Sequence, residues 1–223
     1  MKNPEFIVGL SYADRLRLAT DARHQALKSY FDSELESLTS LMGPMSEGPE
    51  WPAGAAWLAA KHGENGCIIS DGLSDPWVER QRGDIGLGLE VFIESPDVKI
   101  SHKPLSALAD TWLFPMVAEI SHTIANYVKL SERLLSGELV SLEFNIDHIK
   151  DGRGKVGALL SPISTLSLYG GDVSLIAATL LTPAELRFLR GKGESGRRDL
   201  AEKLNETGTK QLSLLHRPSV IRQ

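Results

Sequence analysis

The chain has 223 residues, of which 42% are hydrophobic and 24% are charged, and its formal net charge is −5. This composition is ordinary for a globular protein, and the acidic balance argues against non-specific nucleic-acid binding, which needs a basic face or tail. The single cysteine excludes an internal disulfide.

The amino-terminal residues have no uninterrupted apolar core, because Asp14, Arg15 and Arg17 break it. We therefore expect no signal peptide. The apolar run at 175–181 is far too short to cross a bilayer. These observations predict a cytoplasmic protein with no membrane partner.

The first half of the chain predicts a helix followed by strands. Apolar residues recur at helical spacing over 12–38, where Ser11 could cap the helix. Three prolines and two glycines within 42–52 predict a linker. The apolar runs at 55–61 and 67–70 flank a turn that contains Gly and Asn, which predicts a β-hairpin. Strict alternation of apolar and other residues over 87–95 predicts a half-buried strand. The predicted strands are 55–61, 67–70 and 87–95.

The second half mixes helices and strands. Pro115 and an apolar stripe predict a helix, and Thr182, Pro183 and Glu185 form a capping box that begins another. A long apolar run predicts a central strand that is covered on both faces. In chain order we predict helix 115–131, strand 139–144, a short strand at 157–161, strand 173–181, helices from 183 and over 195–208, strand 211–215, and a frayed tail from 216.

This pattern predicts an α+β (mixed α/β) fold, because hairpin strands alternate with inserted helices. The predicted organisation is one domain over residues 1–223. It divides into an N-terminal helix and linker at 1–50, a core at 51–216 and a tail at 217–223.

The stretch CIISDGLSDPW (67–77) raises the question of a carboxylate site. Asp71, Asp75, Glu90 and Glu94 could converge if strand 87–95 lies beside strand 67–70, and paired carboxylates serve acid–base chemistry or bind metals. The alternative is a turn in which Asp71 and Asp75 cap backbone N–H groups. Gly72 would then take a conformation that other residues resist. We favour the turn.

Other candidate motifs are weak. Gly86 and Gly88 run directly into a strand with no third glycine, which favours a bulge or close packing over a dinucleotide site. Six scattered histidines lack zinc-site spacing, and Cys67 begins an apolar strand as a buried cysteine would. The basic run 190–198 is either an anion site or, by preference, a solvated loop. We therefore predict no cofactor and no metal.

Two segments together resemble the Suppressor of fused (SUFU) family. ISDGLSDPW (69–77) followed by GLGLEVFIE (86–94) is similar to the family's I-S-x-G-L-S-D segment and the G-F-G-F-E-L strand after it. NYVKLSERLLSGE (126–138) is similar to the family's aromatic–valine helix end and S-G-D turn. The residues that carry the first resemblance are Ile69, Ser70, Gly72, Leu73, Ser74, Asp75, Gly86, Gly88 and Glu90.

The resemblance implies a SUFU-like domain with a mixed, mainly antiparallel sheet and flanking helices. It implies a bacterial-type, single-domain protein-binding module that is not an enzyme, with a toxin domain as the candidate partner of an immunity protein. In animal members a tyrosine at the helix end and an aspartate in the S-G-D turn hold the partner's peptide. The tyrosine matches Tyr127, and Glu138 stands in the turn instead of aspartate.

Two alternatives remain from the residues themselves. One is an enzyme or metal-binding protein that uses the 71–94 region, with Asp71, Asp75 and Glu90 as its reactive groups. The other is a structural or regulatory subunit, which a stable, constitutive assembly on size-exclusion chromatography would distinguish.

Overall fold

A computed structural model describes residues 10–38, 51–79, 84–100, 103–146, 155–168 and 170–221. Strands and helices interleave along the chain, as the sequence predicts. In order, the elements are α1 (Tyr12–Phe31), β1 (Glu36–Ser37), β2 (Trp57–His62), β3 (Asn65–Ser70), β4 (Leu89–Lys99), a 3₁₀ turn (Leu105–Asp110), α2 (Leu113–Asn126), α3 (Val128–Leu135), β5 (Val140–Phe144), β6 (Val156–Leu168), β7 (Gly171–Leu181), α4 (Pro183–Leu189) and α5 (Gly193–Glu206).

The strands form one seven-stranded sheet in the order β1-β2-β3-β4-β7-β6-β5. Every neighbouring pair is antiparallel except β4 and β7, which are parallel. The predicted fold class, with its mixed and mainly antiparallel sheet and flanking helices, is confirmed. Among the described strands, the two at the edges of the sheet are the two-residue β1 and the longer β5.

Helices cover both faces of the sheet. On one face, Met116 and Ile120 of α2 pack in the same cluster as Val91 of β4. On the other face, Leu27 of α1 packs with Phe92, while α4 and α5 cover the part of that face formed by β6 and β7. The alternation of β4 therefore sends successive side chains into two different cores.

β4 differs from the predicted half-buried strand. Leu89, Val91 and Ile93 share one face, as predicted, but Phe92 and Glu90 on the opposite face are buried as well. The cause is α1, which covers the face that the sequence pattern assigned to solvent. The predicted half-buried strand is wrong for this reason.

α1 begins as predicted and ends earlier. The Ser11 hydroxyl accepts from the Asp14 N–H, whereas the helix ends at Phe31 and Asp32 takes a left-handed conformation with φ 48°. Residues 36–37 leave the helix because they pair with β2. The predicted linker at 42–52 lies outside the described residues up to position 50.

The predicted helix 115–131 is two helices. α2 ends at Asn126, Tyr127 adopts φ −125° and ψ 82°, and α3 begins at Val128. The short strand predicted at 157–161 extends to Leu168, because β6 pairs along its length with β7.

The carboxyl-terminal part confirms one prediction and corrects two. Thr182 and Glu185 form the predicted capping box. In place of a strand at 211–215 there is a single bridge between Leu212 and Glu94. The predicted frayed tail is wrong for the described residues, because Arg217 lies 2.6 Å from Glu185 and the Val220 N–H donates to the same carboxylate over 3.0 Å.

Candidate functional site

Three of the four candidate carboxylates come together around a buried arginine. Asp71 and Asp75 lie in the loop after β3, and Glu90 lies near the start of β4, which pairs with β3. Arg23 of α1 enters between them and is only 1% exposed. We call these four residues the Arg23 cluster.

Each nitrogen of the Arg23 guanidinium has a partner in this cluster or its loop. Nε donates to Asp71 Oδ1 over 2.7 Å, and Nη2 lies 2.6 Å from the same oxygen. Nη1 donates to Asp75 Oδ1 over 2.6 Å and to Ser74 Oγ over 3.3 Å. His24 adds a contact of 2.9 Å from Nε2 to Asp71 Oδ2. Two adjacent side chains thus fix α1 to the loop after β3.

Glu90 holds the backbone of the same loop and is fully buried. Its Oε1 accepts from the N–H groups of Gly72 and Ser74, over 3.1 Å and 3.0 Å, and from the Ser74 hydroxyl over 2.6 Å. Its Oε2 accepts from the Ser70 hydroxyl over 2.5 Å. Gly72 has φ 123°, a conformation that side-chain-bearing residues resist, as predicted.

The prediction that Asp71 and Asp75 cap backbone N–H groups is wrong. In the part of the chain that the structure describes, their carboxylates bind Arg23, and Asp71 also contacts His24. A buried guanidinium must be paired with charge, and the two aspartates supply it. The capping role belongs to Glu90, which sits on the neighbouring strand.

Burial and charge act in opposite directions in the Arg23 cluster. Burial raises the pKa of Glu90 and of Asp75, and this effect exceeds the lowering effect of Arg23. Burial also raises the pKa of Asp71, but the hydrogen bond from His24 and the charge of Arg23 outweigh it, so that this pKa is lowered. Burial lowers the pKa of Arg23, but the three carboxylates outweigh it and raise the pKa. The lowered pKa of Asp71 therefore favours its ionised form beside the Arg23 cation.

Most of the Arg23 cluster is buried, and its charged groups bind one another. Glu90 is fully buried and Asp75 is 5% exposed, and their oxygens already accept hydrogen bonds from within the loop and from Arg23. Within the described ranges, no group of three or more His, Cys, Asp or Glu side chains could hold a metal ion. This arrangement suits a group that ties α1 to the sheet.

Sequence reasoning missed Arg23 and His24, although one signal was present. Arg23 stands four residues before Leu27 and eight before Phe31, and all three lie on the buried face of α1. A charged residue on such a face needs a buried counter-charge. The sequence could not identify that partner, since the contacts to Asp71 and Asp75 span 48 and 52 residues.

Glu94 does not join the Arg23 cluster. Its carboxylate accepts from Asn65 Nδ2 over 2.7 Å and lies 3.0 Å from His62 Nδ1, at the β2–β3 hairpin. Four residues along a strand separate it from Glu90 by roughly 13 Å. The predicted convergence is wrong for Glu94 for this geometric reason.

The glycines before β4 permit close packing, as the sequence favoured. Gly86 and Gly88 have φ 55° and 71°. A Cβ on Gly86 would lie 2.4 Å from the Asp75 carbonyl oxygen and 2.6 Å from that of Leu73. The Leu87 N–H donates to the Leu73 carbonyl over 2.8 Å. The two motif segments thus form one packed unit with the Arg23 cluster beside it.

A second candidate region lies around α3. Tyr127, at the break before α3, is 64% exposed, and Val128 and Leu135 are 55% and 47% exposed. Glu138 follows α3, and its carboxylate lies 2.9 Å from Arg133 Nε. α3 has 8 residues and so spans about 12 Å between Tyr127 and the turn that leads to Glu138. The structure places the two candidate residues at opposite ends of one helix.

α3 packs against β5, the strand at the sheet edge. β5 pairs with β6 on one side, and no described strand lies on its other side. We call this unpaired side the β5 edge.

Among the described residues, no helix is both long and apolar enough to cross a bilayer.

The fold is similar to solved Suppressor of fused structures. The crystal structure of the Sufu–Fu complex matches with a TM-score of 0.55 and 13% identity, over 91% of this chain and 92% of that chain. The crystal structure of Drosophila Suppressor of Fused matches with a TM-score of 0.50 and 14% identity, over 91% of this chain and 51% of that longer chain. No known family model and no curated protein matches the sequence. The SUFU-like fold that the motifs implied is confirmed.

Proposed function

We propose that this chain is a protein-binding module of the SUFU type and not an enzyme. The observation that carries the proposal is the β5 edge, which leaves one side of a five-residue strand without a partner strand among the described residues. The Arg23 cluster supports the non-enzymatic part, because its charged groups already bind one another.

The surroundings of the β5 edge suit an extended polypeptide. An edge strand offers N–H and C=O groups to an incoming strand, which adds to the sheet. On the neighbouring α3, Val128 and Leu135 are seven residues apart and share one exposed face, and Tyr127 precedes them. Exposed apolar side chains on a helix that packs against an edge strand are typical of a surface for a partner.

Tyr127 and Glu138 are the proposed partner-contacting residues. A tyrosine supplies apolar area and a hydroxyl at low entropic cost, so it is favoured in such contacts. Glu138 supplies a carboxylate at the start of the edge. A stable complex would bury roughly 800 Å² on each partner.

The wider proposal follows the family resemblance. The chain is proposed as a bacterial-type, single-domain SUFU member, with one domain over residues 1–223. Its proposed partner is a toxin domain that it neutralises as an immunity protein in the cytoplasm. The similarity of fold to the Sufu–Fu complex supports the protein-binding part of this proposal, and the immunity role rests on the family resemblance.

A pull-down with matched variants tests the surface. Tagged wild type, Val128→Asp and Val78→Asp are compared by mass spectrometry of proteins recovered from native lysate. Val78 is a suitable control because it is 61% exposed and its carbonyl accepts from Arg15 of α1, which covers the other face of the sheet. We expect one protein recovered by wild type and Val78→Asp, and about tenfold less with Val128→Asp, because a buried charge weakens an apolar contact.

Two outcomes would contradict the proposal. Equal recovery by all three proteins would place the partner on another surface. Recovery of no protein by the wild type, under conditions that preserve weak complexes, would argue against a binding module. A stable constitutive assembly of the native protein on size-exclusion chromatography would instead favour a structural subunit.

A further inference from the structure

An arginine with unused donors lies at the beginning of the β5 edge. Arg197 of α5 donates Nε to the carbonyl oxygen of Leu139 over 2.6 Å, and Leu139 directly precedes β5. Among the described residues, the two Nη groups of Arg197 have no hydrogen-bond partner. The side chain is partly exposed and is therefore accessible to a partner.

The other arginines around this edge already contact carboxylates. The sequence favoured a solvated loop for the basic run 190–198, but α5 begins within it, and two of its arginines form ion pairs. Among the three arginines of this run, Arg197 is the one that no described carboxylate contacts, and Lys192 lies over the ring of Phe188. The pairs are Arg133 with Glu138 at 2.9 Å, Arg190 with Glu143 at 3.1 Å, and Arg198 with Glu194 at 2.5 Å.

The electrostatic surroundings of Arg197 agree with this geometry. Burial lowers the pKa of Arg197, and the nearby charge of Arg133 lowers it further, against the raising effects of Glu138 and Glu194. The guanidinium is therefore less well stabilised than it would be in water. A carboxylate brought to its Nη groups would add the missing charge and two hydrogen bonds.

We propose that Arg197 binds an aspartate or glutamate side chain of the partner segment that adds to the β5 edge. The inference rests on the proposed function and names the chemistry of its partner. The bond from Nε to Leu139 fixes the guanidinium at the start of the strand. Its two Nη groups form a fork that matches a carboxylate, which a lysine could not reproduce. Arg197 thereby selects a segment with an acidic residue at one position.

A peptide selection tests this inference on the full chain. Random peptides displayed on phage are selected in parallel on immobilised wild type, Arg197→Gln and Arg198→Gln. Arg198 is the matched control because it is the next residue of α5, is 73% exposed and pairs with Glu194. We expect Asp or Glu to be enriched at one position with wild type and Arg198→Gln, and this enrichment to disappear with Arg197→Gln.

A charge swap sharpens the result. For the acidic peptide that binds wild type most tightly, Arg197→Gln should raise Kd about tenfold or more. Arg198→Gln should change Kd less than about twofold. Arg197→Glu should bind a peptide in which lysine replaces the acidic residue better than the original peptide. Circular dichroism of each variant verifies that the fold is retained.

The outcomes separate this inference from the proposed function. Peptides that protect β5 from hydrogen exchange but show no acidic preference would overturn the role of Arg197 and leave the β5 edge as a binding surface. Identical selected sequences on wild type and Arg197→Gln would overturn it in the same way. A wild type that selects no peptide would contradict both proposals.

Discussion

Arg23 and Arg197 differ in burial and in how many of their guanidinium nitrogens are hydrogen-bonded. Arg23 is 1% exposed, and all its nitrogens bind within the Arg23 cluster or Ser74. Arg197 is partly exposed, bonds one backbone oxygen and lies near the like charge of Arg133. The Arg23 guanidinium holds two segments of the fold together, whereas the Nη groups of Arg197 have no hydrogen-bond partner among the described residues and lie near the start of β5.

This difference separates structural charges from candidate binding charges. A buried ion pair whose two members bind each other adds little to the free energy of unfolding. Removal of one member is strongly destabilising, because the remaining charge stays buried without a partner. A surface cation with unused donors costs little to keep and can discriminate between partners. Substitutions in the Arg23 cluster, in the loop beside it and at Arg197 test this distinction.

Arg23→Met should destabilise the protein by about 3–5 kcal/mol, because it leaves buried carboxylates without their cation. Urea denaturation at pH 7 measures the change. Arg198→Met, at a side chain that is 73% exposed, is the control and should change stability by less than about 0.5 kcal/mol. Similar small losses in both variants would show that the Arg23 cluster does not hold α1.

Gly86→Ala should cost about 3 kcal/mol, since a Cβ there would lie 2.4 Å from a backbone oxygen of the loop that carries Asp75. Gly63→Ala is the matched control, because Gly63 has φ 61° and nothing within 4 Å of the added Cβ. It should cost about 1 kcal/mol, from backbone conformation alone. Thermal unfolding of both variants gives the comparison, and equal losses would argue against close packing of the two motif segments.

Asp71→Asn and Asp75→Asn should show opposite dependence on pH. The lowered pKa of Asp71 means that its ionised form stabilises the fold above the unfolded pKa, and this contribution is lost as pH falls through the folded pKa. Asp71→Asn should therefore be about 1 kcal/mol or more less stable than wild type at pH 7, with a smaller difference at pH 3.

The raised pKa of Asp75 has the reverse sign, because the folded state binds the proton more tightly than the unfolded state. Wild type loses this contribution as pH rises through the folded pKa. Asp75→Asn keeps an acceptor for Arg23 but has no group that titrates here. The difference in free energy of unfolding between Asp75→Asn and wild type should therefore shift in favour of the variant as the pH rises from 4 to 7. Urea midpoints across this range test both variants, and parallel curves would contradict the assigned pKa directions.

Arg197→Gln should change the free energy of unfolding by less than about 1 kcal/mol, the value of one hydrogen bond to a backbone oxygen. Chemical denaturation measures it alongside Arg23→Met. A loss as large as that of Arg23→Met would erase the distinction between the two arginines and assign Arg197 to the fold.

Much of the local structure could be predicted from the sequence. The Ser11 cap, the capping box of Thr182 and Glu185, and the hairpin of β2 and β3 depend on neighbours within a few residues, so the local pattern contains the information. The end of α1 and the length of β6 could not be predicted, because pairing with distant strands sets them.

The candidate site divides in the same way. The sequence placed Asp71, Asp75 and Glu90 near one another once their strands were paired, but it assigned them the wrong bonds. The error came from α1, whose Arg23 approaches from 48 or more residues away. Arg197 likewise lies in a basic run whose neighbours look alike, and only the contacts distinguish it from Arg198.

The fold class, the N-caps of α1 and α4 and the two motif segments could be predicted from the sequence, because spacing and turn chemistry act over short distances. Only the packing of distant segments shows that α1 covers β4, that Arg23 pairs with the loop carboxylates, and that β5 lies at the edge of the described sheet. These features arise when distant segments exclude water from one another or leave a strand unpaired. Such contacts depend on the packing of the whole chain, which no local pattern encodes.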